Sequence, residues 1–174
     1  MKTRIMVLLT VALLCGGIVM GGEAPADEVV KFFADGRVIS LVAGGGDVYR
    51  DGKPRSGFSA LVFDGNQVRT KPMTRVTKSG DMWLVQGDVE FPRFHVKIEK
   101  AGSGLSMKLE RVEGAPLGRD SSLMFYLNTK KQMQAEGKGV AVEAGKESLQ
   151  IVWKYIGVRD AVKNYEVVKI GVKP

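Results

Sequence analysis

Phe94-His95-Val96-Lys97-Ile98-Glu99 and Leu105-Ser106-Met107-Lys108-Leu109-Glu110 decide the fold. Both runs alternate apolar with polar residues, and successive side chains of a strand point to opposite faces. Phe94, Val96 and Ile98 therefore share one face, as do Leu105, Met107 and Leu109. Between them lies Ala101-Gly102-Ser103-Gly104, a turn-forming tetrad. The two runs are expected to close as an antiparallel hairpin with one buried and one wet face. Setting Ile98 against Met107 and Val96 against Leu109 pairs apolar with apolar. The same register places His95 opposite Glu110, and Lys97 opposite Lys108, a mildly unfavourable pair.

Working outward, the same grammar recurs. Val29 to Ala34 and Arg37 to Val42 flank Asp35-Gly36, a short hairpin turn whose residues tolerate positive φ. Phe58 to Phe63 and Gln67 to Thr70 flank Asp64-Gly65-Asn66; Thr74 to Thr77 and Met82 to Gln86 flank Lys78-Ser79-Gly80-Asp81. Further strands are expected at Asp47 to Arg50, Leu123 to Leu127, Val140 to Glu143, Leu149 to Tyr155 and Glu166 to Val172. No segment after the leader sustains an amphipathic helix. At most, Lys130 to Glu136 is read as a turn or two, with Lys130, Lys131 and Lys138 in one loop. About a dozen short strands at close spacing predict an all-β fold, an antiparallel β-sandwich.

The N-terminus reads as a leader. Lys2 and Arg4 precede the apolar run Ile5 to Leu14, and small residues lead to Ala24-Pro25-Ala26. This is the layout of a secretory signal peptide over residues 1–26, cleaved before Asp27. The run falls short of the ~18 to 20 residues of a membrane span, so no transmembrane segment is expected in the mature chain. Residues 27–174 then form a single exported domain, periplasmic or extracellular. Cys15, the only cysteine, lies in the leader beside the bulky Leu14, which suits lipid attachment poorly. The mature domain has no disulfide and must rely on core burial. Its net charge is +6 once the leader's Lys2, Arg4 and Glu23 are removed from the chain's +7. Both signs are interspersed, and no aromatic-interleaved basic tract points to nucleic acid.

Chemistry-bearing motifs are sparse. One histidine, His95, and no cysteine in the mature chain exclude a His-rich or thiolate metal site. Neither Asp47 to Asp51 nor Asp64 has the spacing of a calcium loop, and turn formation explains these aspartates. No Gly-x-Ser-x-Gly elbow is present, and Gly44-Gly45-Gly46 is followed by a strand rather than by Gly-Lys-Ser/Thr and a helix. Asp88 and Glu90 would share a strand face, too close together to flank a glycosidic bond. No cofactor is implied. The aromatic residues carry more. Trp83 and Trp153 lie in apolar strands and are expected in the core, Trp153 sharing a face with Leu149, Ile151 and Tyr155. Tyr49, Tyr155 and Tyr165 stand at strand ends beside turns or loops, where a ring can stack on the C–H face of a sugar.

Asp35-Gly36-Arg37-Val38-Ile39-Ser40-Leu41, then Gly44 to Arg50 and Gly57 to Phe63, together with Val89-Glu90-Phe91 to the closing Leu109-Glu110-Arg111-Val112-Glu113-Gly114, resemble a galactose-mutarotase-like β-supersandwich. The resemblance covers residues 29 to 128 and rests on strands and turns. Such domains sit near the N-terminus of glycoside hydrolases and polysaccharide lyases, ahead of a catalytic barrel. No barrel follows here before Pro174, and a single histidine cannot fill the roles that a mutarotase gives to several, so no catalytic residue carries over. The resemblance implies an exported, non-catalytic carbohydrate-binding or accessory module, with a polysaccharide or glycan as its partner. The alternative is a structural or protein-interaction sandwich of the cell envelope, bound to an envelope protein. Were the chain an enzyme, its substrate would be a carbohydrate.

Overall fold

The computed structural model describes residues 29–64, 67–88, 92–114, 121–155 and 167–174, without the side chains of 62–64, 121, 154 and 155. The leader, its cleavage site, Glu90 and Tyr165 lie outside the described residues. These contain fourteen strands and no helix. The chain runs through β1 (Val30–Phe32), β2 (Val38–Ala43), β3 (Gly46–Asp47), β4 (Gly57–Asp64) and β5 (Gln67–Pro72). Next come β6 (Arg75–Ser79), β7 (Met82–Gln86), β8 (Arg93–Ala101), β9 (Gly104–Glu113) and β10 (Ser121–Asn128). The last are β11 (Met133–Glu136), β12 (Ala141–Ala144), β13 (Ser148–Tyr155) and β14 (Val168–Val172).

All pairings are antiparallel. They build a five-stranded sheet, β12-β13-β10-β4-β5, a six-stranded sheet, β11-β14-β9-β8-β7-β6, and a small sheet, β1-β2-β3. The fold is an all-β antiparallel sandwich. Phe58, Leu123, Phe125, Leu127, Leu149, Ile151 and Trp153 of the five-stranded sheet share one core with Val85, Phe94, Val96, Leu105, Met107 and Leu109 of the six-stranded sheet. Phe32 of β1 joins the two, its ring centroid 5.6 Å from Phe58 and 5.0 Å from Trp83. Both tryptophans are core residues, as their apolar surroundings in the sequence require.

The founding hairpin is β8–β9. Phe94, Val96, Ile98, Leu105, Met107 and Leu109 are buried on one face, and Ile98 pairs with Met107 and Val96 with Leu109. Lys97 does face Lys108, and each is relieved by a carboxylate: Lys97 by Glu99 at 2.8 Å and Lys108 by Glu110 at 3.0 Å. His95 is a correction. The register shifts between His95 and Val96, so His95 lies opposite Arg111, not Glu110. The bulge absorbs Glu110 and lets Val112 return to the core side.

Two further expectations are corrected. Lys130 to Glu136 is not helical: Met133 to Glu136 is the edge strand β11, with Met133 buried and Ala135 packed on the core. That strand separates Lys130 and Lys131 from Lys138, which lies in the turn before β12. Asp47 to Arg50 is not one continuous strand either. β3 ends at Asp47, and Tyr49 makes an isolated bridge to Thr129. No helix among the described residues is long and apolar enough to cross a membrane.

Candidate functional site

The β1–β2 turn and the segment after β3 meet to form an open groove of about 330 Å³. Its volume is at the small end of the ligand-pocket range of about 300–1,000 Å³. Phe33 and Tyr49 supply its aromatic surface and Val38 and Ile39 its aliphatic floor, while Arg37, Asp51, Arg55 and Ser56 bring the polar groups.

Local chemistry shapes each wall. At the turn, Gly36 takes φ 83°, and a Cβ there would lie 3.0 Å from Val76. Asp35 accepts from the Arg37 backbone N–H (3.2 Å) and from its Nε (2.6 Å). Burial tends to raise the Asp35 pKa, but these bonds and the guanidinium charge outweigh it and hold the carboxyl below its ordinary value. So anchored, Arg37 lies 4.7 Å from the centroid of the Phe33 ring, in cation–π geometry. Phe33 itself is 46% exposed. A side chain is excluded at Gly57, where a Cβ would stand 2.6 Å from the Gly36 carbonyl oxygen; this close approach brings the turn against the start of β4.

Tyr49 owes its place to Asp47. Asp47 Oδ1 accepts from the backbone N–H of Leu41 (3.0 Å) and of Tyr49 (3.2 Å), and Oδ2 meets Lys130 Nζ at 3.1 Å. Burial opposes ionisation of Asp47, yet these donors win and its pKa is lowered. The Tyr49 hydroxyl donates to Asp51 Oδ1 at 3.3 Å. Burial first, then the Asp51 charge, raise the phenol above its ordinary value, so it stays a neutral donor.

The loop carrying Asp51, Arg55 and Ser56 is fastened by Asn128. Asn128 Nδ2 donates to the Pro54 carbonyl (2.7 Å), its N–H donates to Ser56 Oγ (2.8 Å), and its Oδ1 accepts from the Tyr126 hydroxyl (3.1 Å). Asn128 and Ser56 are both buried, and the Lys53–Pro54 peptide bond is cis.

Of the three tyrosines expected to bind ligand, the structure places Tyr49 in the groove. The Tyr155 backbone pairs with Ser121, whereas Tyr49 bridges Thr129, next to the far end of β10. Eight residues of β10 put those ends about 24 Å apart, so these two tyrosines do not form one rim. The Tyr155 side chain and all of Tyr165 lie outside the described residues. Phe33, Arg37, Arg55 and Asn128 were not singled out by the sequence reading. Phe33 carried a usable signal, an aromatic residue directly before a hairpin turn; Asn128 carried none.

A second groove of about 390 Å³ is lined by Val29, Val30, Trp83 and Ile98, with Lys78, Asp81 and Glu99 at its rim. Its aromatic group is committed elsewhere: Trp83 is 8% exposed, packs edge-on against Phe32, and lies 5.6 Å from Lys78 Nζ. His95 Nε2 lies 3.4 Å from Glu113 and 3.4 Å from Arg111, in an exposed charge cluster away from both grooves. Among the described residues no group of three or more His, Cys, Asp or Glu side chains could hold a metal ion. No family model, curated protein or solved structure matches the chain.

Proposed function

We propose that this domain is an exported, non-catalytic glycan-binding module, of the kind that galactose-mutarotase-like sandwiches provide at the front of carbohydrate-active enzymes. The observation that carries the reading is the groove itself, where the half-exposed Phe33 and the phenol of Tyr49 stand beside Asp51 and Arg55. Aromatic faces pack on sugar C–H groups, and the carboxylate and guanidinium serve hydroxyls. Binding is favoured over hydrolysis because Asp51 is the one carboxylate in the lining among the described residues, and glycosidic cleavage calls for a pair.

The rival reading, an envelope protein-interaction sandwich, draws on the apolar Ile39 and Val42 of β2, each 40% exposed, and on the fully exposed edge strand β5. Arg69, Lys71 and Pro72 on β5 are residues that blunt an edge against pairing, which weakens that reading.

A glycan-array screen of the mature protein, followed by titration of the hits, tests the proposal. Phe33→Ala and Tyr49→Ala are each expected to weaken binding about tenfold or more at moderate salt, because stacking is not screened. Absence of binding to any glycan would put the envelope reading first. N-terminal sequencing of exported protein tests the leader; a start at Asp27 is expected, and an intact Met1 or a lipid on Cys15 overturns it.

A further inference from the structure

Along β2 the alternation breaks once. Phe32 pairs with Val38 and Lys31 with Ser40, so Ile39 has no partner on β1 and is the extra residue of a β-bulge. The bulge resets the parity of the strand, which lets Val38, Leu41 and Ala43 all be buried. It leaves Ile39, a large apolar side chain, 40% exposed. That side chain lines the groove. Bulges recur beside binding sites because they re-aim a side chain in this way.

The strand that carries Ile39 runs between the two aromatic residues of the groove. On the β1 side the Phe33 N–H donates to the Arg37 carbonyl (2.8 Å). On the other side the Val38 N–H donates to the Ser56 carbonyl (3.1 Å), and the Val48 N–H donates to the Leu41 carbonyl (2.8 Å). Phe33 and the segment from Tyr49 to Ser56 therefore flank β2 from opposite edges. A polar group stands ready nearby. Asp51 Oδ1 accepts from the Tyr49 hydroxyl and from the Gly52 N–H (3.0 Å), whereas Oδ2 accepts from no donor among the described residues.

Resting on the glycan reading above, we infer that the sugar taken by this groove carries a methyl group, and that Ile39 selects it. The methyl packs on Ile39, the ring lies against Phe33 and Tyr49, and a hydroxyl donates to Asp51 Oδ2. Ile39 can neither donate nor accept a hydrogen bond. A hydroxyl laid on it would lose its water without compensation, whereas a methyl gains from the same burial. The methyl belongs to a 6-deoxyhexose or to an acetamido sugar.

The test is the affinity ratio within pairs of sugars. D-fucose beside D-galactose and L-rhamnose beside L-mannose differ by a hydroxyl at C6; N-acetyl-D-glucosamine beside D-glucose tests an acetyl methyl. Nuclear magnetic resonance titration of the mature protein measures each dissociation constant, and a glycan array ranks the same sugars within longer chains. At least one methyl-bearing sugar is expected to bind about tenfold tighter than its partner, the scale of one methyl in an apolar site. A gap in the deoxy pairs assigns the methyl to the sugar ring, and a gap in the acetamido pair assigns it to the acetyl group. Ile39→Thr should remove most of the gap and leave the hydroxylated partner's affinity nearly unchanged. Val42→Thr, on the same strand and equally exposed but outside the lining, should leave the gap intact. Phe33→Ala should weaken both members of a pair alike. Equal affinity within every pair, or array hits that hold no methyl-bearing sugar, overturns the inference and leaves the glycan reading standing. A gap that survives Ile39→Thr in the folded protein overturns it as well. Binding to no glycan at all overturns both.

Discussion

The β8–β9 hairpin and the loop from Asp47 to Ser56 are both fixed firmly against the sandwich, by different physics. The hairpin is local. A two-residue turn joins its strands, and its alternation buries six apolar side chains, all at 8% exposure or less. Past Asp47, which ends the short β2–β3 ladder, the loop has only the isolated Tyr49–Thr129 bridge. It depends on polar groups far away in sequence: Asn128 bonds Ser56 and Pro54 across 72 and 74 residues, and Lys130 reaches Asp47 across 83. Apolar alternation builds the frame, and a few buried polar bonds shape the site upon it.

The comparison breaks first in the hairpin. Leu109→Ala should cost about 2 to 5 kcal/mol, because truncation leaves a cavity in a packed core. Ile98→Ala should fall at the lower end of that range, since Ile98 retains some exposure. Urea denaturation followed by circular dichroism measures both. Glycan affinity of the folded fraction should be unchanged, as neither residue lines the groove that holds Phe33 and Tyr49.

Asn128→Ala should show the opposite partition. Its loss removes a donor from Pro54 and an acceptor from the Tyr126 hydroxyl, at a cost of about 1 to 3 kcal/mol for groups left unpaired. The folded variant should also bind glycan more weakly, because the loop segment with Asp51 and Arg55 loses its side-chain tie at Pro54, while the bond from the Asn128 N–H to Ser56 remains. Unaltered affinity in a folded Asn128→Ala protein would mean that the loop holds its own shape and that the contrast with the hairpin is false.

That contrast also explains what could be read from the sequence. Strand after strand was legible, since burying one face imposes a period of two. Trp83 and Trp153 were placed in the core by their apolar neighbours. Met133-Gln134-Ala135-Glu136 also alternates, but it is short and follows two lysines, and its partner β14 begins 35 residues after Met133. The bulge at Glu110 left a trace that went unread: Val112 breaks the parity set by Leu105, Met107 and Leu109. The groove was half legible. That Tyr49 is an aromatic beside a loop is legible in the sequence, and the structure places it in the groove lining, two residues past the end of β3. Nothing local joins it to Phe33, or reveals that Tyr155 lies toward the other end of β10. Asn128 reads as an ordinary strand-end polar residue, and its role exists only once β10 runs beside the 50–56 loop.

Phe33→Ala sharpens the comparison from the side of the site. Its ring is nearly half exposed, so the stability cost should stay under ~1 kcal/mol, mostly the lost contact with Arg37. Glycan affinity should nonetheless fall about tenfold, a disproportion that no core residue of the hairpin can produce. Thermal melts beside calorimetric titrations compare the two quantities directly. A large drop in melting temperature with intact binding would move Phe33 into the frame.

The smallest expected effect is electrostatic. The Asp47 carboxyl titrates below its ordinary value of 3.8, because the N–H groups of Leu41 and Tyr49 and the Lys130 ammonium favour its charged form over the burial that opposes it. A depressed folded pKa contributes stability that is complete above the unfolded value and lost as pH falls through the folded one. The contribution should thus be present at neutral pH and disappear below about pH 4. Screening at this partly exposed site keeps it under ~1 kcal/mol. Asp47→Asn retains an oxygen for the two backbone donors and loses the charge, so it should flatten this acid limb of the stability curve and barely change the neutral value. Asp47→Ala should in addition free the Tyr49 backbone and weaken glycan binding at pH 7. Measured across pH 2 to 7, identical stability profiles for wild type and Asp47→Asn would show that the loop is held by hydrogen bonds alone and that the Lys130 charge contributes nothing to it.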